Sequence, residues 1–131
     1  MKNYLFLFLC LLTQNLFSQE NVDKKALKKE YFTTAEIDVK PEFPGGGEKM
    51  YSFIAKNYKI PESKEKIIGK IYIVFIVETD GSILDVKITK DIGHGTGEEA
   101  IRVIKMFPKW KPGEKNGEKV RVQYQIPISI N

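Results

Sequence analysis

The residues with chemistry to offer are few and far apart. His94 is the single histidine of the 131-residue chain and sits in the glycine-rich stretch Asp91-Ile-Gly-His-Gly-Thr-Gly97. Without a second histidine or a nearby cysteine, a metal there would have carboxylates as its only other ligands, so a solvated loop is the expected role. Cys10, the one cysteine, falls in an apolar N-terminal run. If that run is removed, the mature protein has no thiol nucleophile, zinc–thiolate site, redox pair or disulfide. The triplet at Gly45, Gly46 and Gly47 invites a phosphate-loop reading. The Lys-Ser/Thr pair that completes such a loop is absent, however, and no parallel strand precedes it. Trp110 in Pro108-Lys-Trp-Lys-Pro-Gly113 offers a stacking surface, but its expected role is to wedge the loop against the core. No carboxylate pair stands at a spacing that would place it across a cleft. The chain is therefore read as a non-enzyme, with no cofactor, no metal and no small-molecule substrate.

Backbone chemistry remains. Val120, Val122, Tyr124, Ile126, Ile128 and Ile130 alternate with Arg121, Gln123, Gln125, Pro127 and Ser129, which predicts a final strand with one dry and one wet face. Pro127 has no amide hydrogen and is tolerated where the donor side of a strand faces solvent. Alternate backbones point the same way, so Arg121, Gln123 and Gln125 would face outward while Val122, Tyr124 and Ile126 pair inward. Arg121, Gln123, Tyr124 and Gln125 are accordingly the candidate partner-binding residues, offering an edge to which an extended peptide could add as a strand. Two copies of the chain could also pair through that edge.

Several elements must position this strand. Residues 69–89 read as a β-hairpin with Asp80-Gly81 as a two-residue type I′ turn. Its first strand is apolar on both faces, with Ile71, Ile73, Phe75 and Val77 on one and Tyr72, Val74 and Ile76 on the other. Such a strand needs cover on both sides, from helices or from a second copy. Residues 31–39 predict a first strand ended by Lys40-Pro41. Pro41-Glu-Phe-Pro-Gly-Gly-Gly47 opens a helix running to about Asn57, with Met50, Phe53 and Ile54 at core spacing. Thr96-Gly-Glu-Glu99 reads as a capping box starting a second helix to about Met106. Its buried side is expected to carry Ala100, Ile101, Ile104 and Phe107, packed on the face of Ile71, Ile73 and Phe75. The fold class expected is α+β.

Composition narrows the function. With 42% hydrophobic and 29% charged residues the chain is globular rather than disordered. Its net charge of +4 is spread among acidic residues, which argues against nucleic acid as a partner. The organisation expected is a signal peptide over residues 1–18, a polar leader over 19–30 and one domain over 31–131. The apolar run at residues 4–12 is shorter than the roughly 20 residues that span a bilayer as a helix. A cleaved, exported protein is therefore expected, and an uncleaved membrane anchor is the less favoured alternative.

Residues 31–130 also resemble a known family, the C-terminal domain of TonB-type energy transducers, in the form with a Pro-Glu-Phe-Pro-Gly-Gly segment before the first helix. The likeness is carried by Pro41-Glu-Phe-Pro-Gly-Gly46, the strand from Gly69 with Asp80-Gly81, Glu98-Glu-Ala-Ile-Arg102, Pro108-Lys-Trp-Lys-Pro-Gly113 and the last strand through Ile126-Pro127. It implies a small antiparallel sheet with two helices packed on one face. It also implies a periplasmic domain that pairs its last strand with a peptide segment of a TonB-dependent outer-membrane receptor, in TonB-dependent transmembrane transport. Ile60-Pro61 stands where the family usually has Tyr-Pro. The membrane helix and proline-rich span of the transducers are not evident, so binding without force transmission is expected. The alternative is a secreted or dimeric binding module of the same fold.

Overall fold

The computed structural model describes residues 31–131; the expected signal peptide, the polar leader and Cys10 lie outside the described residues. The elements are β1 (Phe32–Thr33), a 3-10 turn (Thr34–Glu36), α1 (Gly47–Asn57), β2 (Gly69–Val77), β3 (Ile83–Lys90), α2 (Thr96–Ile104), β4 (Gly113–Lys115), β5 (Glu118–Val120) and β6 (Val122–Ile130). Four strands form one sheet in the order β1-β6-β2-β3, and β4 and β5 form a separate small hairpin. This is the α+β architecture expected, with one refinement: β1 runs parallel to β6, so the sheet is mixed.

The alternation in β2 and β6 builds the core. Ile71, Ile73, Phe75 and Val77 of β2 are fully buried, and Ile126, Ile128 and Ile130 of β6 lie beside them. Met50 and Ile54 of α1 and Ala100, Val103 and Ile104 of α2 close over that face. Burying each such aliphatic side chain contributes about 1.5–3 kcal/mol, which makes this helix-on-sheet layer the main source of cohesion. Val103 is buried and Ile101 is only half-buried, so the apolar stripe of α2 is rotated from the expected one. Its positions 100, 103 and 104 still keep i, i+3, i+4 spacing. The other face of β2 has no helix. Tyr72 and Val74 are half-buried there, Ile76 is flanked by Gln123 and Leu84, and Lys90 Nζ stands 5.6 Å from the Tyr72 ring.

Several local expectations change. The β2–β3 connection spans residues 78–82: Gly81 N–H donates to Glu78 O at 2.9 Å and Glu78 N–H to Ser82 O at 2.8 Å. Gly81 has φ +87°, but Asp80 is not left-handed and instead accepts from Ser82 N–H and Oγ–H. The two-residue turn is at Asn116-Gly117, where φ is +52° and +77°, the pattern of a type I′ turn joining β4 to β5. Thr96 and Glu99 form no capping box; Thr96 Oγ1 donates within the preceding loop, to Asp91 Oδ1 and Gly93 O. The reciprocal Thr-to-Glu arrangement occurs at Thr33 and Glu36. The first strand is two residues long, because the 3-10 turn interrupts it, and Val39 only bridges to Glu114.

Candidate functional site: the outer edge of the last strand

β6 pairs with β2 over its whole length, from Val122 opposite Val77 to Ile130 opposite Gly69. Pro127, opposite Tyr72, cannot donate, so it occupies a position whose backbone faces away from β2. Phe32 N–H donates to Arg121 O at 2.9 Å from the other side, which puts the backbones of residues 121, 123, 125, 127 and 129 on the outer edge. β1 covers the beginning of that edge, with Phe32 opposite Val122 and Thr33 opposite Gln123.

The candidate residues are therefore divided. The Arg121 carbonyl and the Gln123 backbone lie under β1, and Arg121 Nε donates to Glu78 Oε1 at 2.7 Å. Tyr124 turns its ring to the core side, with centroids 5.2 Å from Trp110 and 5.8 Å from Phe75. Of the four, Gln125 alone lies on the edge past β1, and that edge continues through Pro127 and Ser129, both exposed. The available stretch is displaced toward the C-terminus because the short parallel strand takes its first part.

A groove of about 460 Å³ opens beside the uncovered half. Tyr51, Ile54, Ala55 and Tyr58 of α1 and its following turn, together with Ile60, form one wall, and residues 127–131 form the other. Tyr51 is 44% and Ile60 59% exposed, and with Ala55 beside them they make one contiguous apolar wall. The signal was in the sequence: Tyr51, Ala55 and Tyr58 fall at i, i+4 and i+7, a second stripe beside the core stripe of Met50 and Ile54.

The helix wall is held firmly. Tyr58 O–H donates to Thr96 O at 2.9 Å; burial, then the carboxylates of Glu99 and Asp91, push its pKa up to about 12. Burial, then proximity to Tyr124, also raises Tyr51. Glu99 accepts from Arg102 Nε at 3.0 Å and from Lys59 N–H at 3.0 Å, and Arg102 Nη2 donates to Asn57 O at 2.8 Å. Bonding to Arg102 first, then the Lys59 amide, lowers Glu99 to about 2 despite its desolvation. This network ties the end of α1 to the start of α2.

The opposite edge of the sheet is less regular. β3 carries two register shifts against β2, and Asp85 adopts φ +52°. Bulges and the exposed Lys87 and Lys90 region are ordinary ways of blunting a sheet edge. β6 shows no shift against β2.

The remaining candidates lie elsewhere. His94, at φ +59°, places Nδ1 3.4 Å from Ser63 Oγ on the surface, and among the described residues no three potential ligands gather for a metal. Gly46 serves as the N-cap of α1, and Phe43 ahead of it is buried. Trp110 is 3% exposed, edge-on to Phe43 and Phe75, in the wedge role expected.

Residues 55–130, more than half of the chain, match the family described as Gram-negative bacterial TonB protein C-terminal. The chain belongs to that family. The TonB C-terminal domain is periplasmic, non-enzymatic and associated with TonB-dependent transport. The match takes in the last three residues of α1 and all of β2, β3, α2, β4, β5 and β6, and so includes the open edge and Ala55, Tyr58 and Ile60 of the groove. No curated protein matches the chain. Among the described residues no helix is long and apolar enough to cross a membrane.

Proposed function

We propose that the protein is an exported periplasmic TonB-type module that takes up a short extended segment of an outer-membrane receptor as an added strand on the outer edge of β6. The observation that carries this reading is the contrast between the two edges: β6 is unbroken, with exposed Gln125, Pro127 and Ser129, whereas β3 is twice bulged. Membership of the TonB C-terminal family supports an outer-membrane receptor as the partner. The edge past β1 offers the amides of Gln125 and Ser129 and the carbonyls of Gln125, Pro127 and Ser129. Each net bond contributes about 0.5–1.5 kcal/mol. Ordering a flexible peptide offsets much of that, so side-chain contacts must add to the affinity.

Gln125→Pro removes one of the two donors and sets a ring methylene where the added strand would approach, while leaving the inward pairing with β2 in place. The variant is expected to keep its circular dichroism and to lose capture of the periplasmic N-terminal segments of the host's outer-membrane receptors. A folded variant that still captures them would show that the edge is not used.

A further inference from the structure

An added strand must put half of its side chains somewhere. Neighbouring strands lie about 4.8 Å apart and their side chains alternate between faces. On the helix-free face those side chains would stand beside Gln125 and Ser129, in water. On the other face they would enter the groove between α1 and β6. We infer that this groove is a side-chain pocket that selects receptor segments carrying an aliphatic or aromatic residue at the helix-facing position opposite residues 127–129.

This rests on the strand-addition reading and adds a rule for the partner's sequence. Two observations fix the occupant. The outward amides of Gln125 and Ser129 and the carbonyls between them, exposed beside the groove, repeat at the spacing of an extended polypeptide and can exchange water for it. No Asp, Glu, Lys, Arg or His side chain lines it, while Tyr51, Ala55 and Ile60 give it an apolar wall. Its polar groups are the hydroxyls of Tyr51, Tyr58 and Ser129 and the Asn131 amide, so a charged side chain entering it would lose hydration without meeting an oppositely charged side chain. Alternate residues of a strand are about 6.7 Å apart, so a volume of about 460 Å³ accommodates one or two of them. β1 closes the other end, because Phe32 and Thr33 already pair with Val122 and Gln123. The segment is therefore short, and its anchoring residue falls in a fixed register.

The test uses two fluorescein-labelled peptides from the periplasmic N-terminal segment of one of the host's outer-membrane receptors, one native and one with its central apolar residue changed to serine. Anisotropy titrations are run on the wild type, Ala55→Gln and Gln125→Pro. Ala55 is an exposed helix position, where glutamine is a good helix former. The serine peptide is expected to bind the wild type about tenfold more weakly than the native one. Ala55→Gln should weaken the native peptide about tenfold and leave the serine peptide unchanged. Equal binding of both peptides by wild type and Ala55→Gln, with loss in Gln125→Pro, would overturn the pocket while leaving strand addition standing. Full binding by Gln125→Pro, or binding of neither peptide by the wild type, would overturn strand addition and the pocket with it.

Discussion

Gly81 illustrates how one residue can serve two contacts. Its φ of +87° suits the turn after β2, and a Cβ there would run into the carbonyl oxygen of Trp110. The approach is close because Trp110 N–H donates to Gly81 O at 2.8 Å, locking the turn to the loop after α2. Gly81→Ala should cost about 2–4 kcal/mol, from left-handed strain together with the overlap, read as a lower urea midpoint with unchanged slope. Glu99 makes a second prediction. Its carboxylate titrates at about 2 in the fold against an ordinary 4.5, so the folded form binds fewer protons than the unfolded form between those values. The stability it contributes is present above about pH 4.5 and is lost as pH falls toward 2. In Glu99→Gln the urea midpoint should fall less steeply than in the wild type over that window. Equal slopes would mean that the Arg102 and Lys59 contacts carry no charge-dependent stability.

At the scale of elements, the proposed binding depends on which sheet edge is open. β1 is only two residues long, yet it determines which part of β6 is available. Phe32→Pro removes the amide that bonds Arg121 O and should loosen β1 alone. Hydrogen exchange at Gln123, under β1, is expected to quicken, while Val122, paired with Val77, stays protected. Protection of Gln123 unchanged in that variant would place its bond elsewhere. The sequence foretold most of β6, because Val122, Tyr124, Ile126, Ile128 and Ile130 at period two fix the face it buries; Val120, the first of the alternating set, falls instead in β5 opposite Gly113. It foretold α1 from the core spacing of Met50 and Ile54. It could not foretell that β1 would meet the start of β6: two residues carry no periodicity, and a parallel pairing across some 90 positions leaves no local mark. Turn chemistry misled in a similar way. Asp80-Gly81 and Asn116-Gly117 look alike as dipeptides, but the docking of Trp110 on Gly81 favours a longer connection at the first, and only the second forms the two-residue turn.

Taken as one body, residues 31–131 bury one sheet face under two helices and leave the other without a helix. No cysteine occurs in this stretch, so its cohesion comes from packing. The aromatic group of Phe43, Phe75, Phe107, Trp110 and Tyr124 joins the segment before α1, the central strand, the loop after α2 and β6. That arrangement anchors β6 to the rest of the fold, and a preformed strand lowers the cost of docking the extended segment proposed for it. The groove was less legible than the strand because its walls come from residues about 70 positions apart, each ordinary alone. The central claim is that binding occurs on the outer edge of β6. The most direct measurement is residue-resolved hydrogen exchange of the whole protein, free and saturated with a receptor N-terminal peptide. The account predicts that the Gln125 and Ser129 amides exchange quickly in the free protein and slowly in the complex, with β3 unaltered. New protection along β3, with Gln125 and Ser129 still exchanging freely, would contradict it.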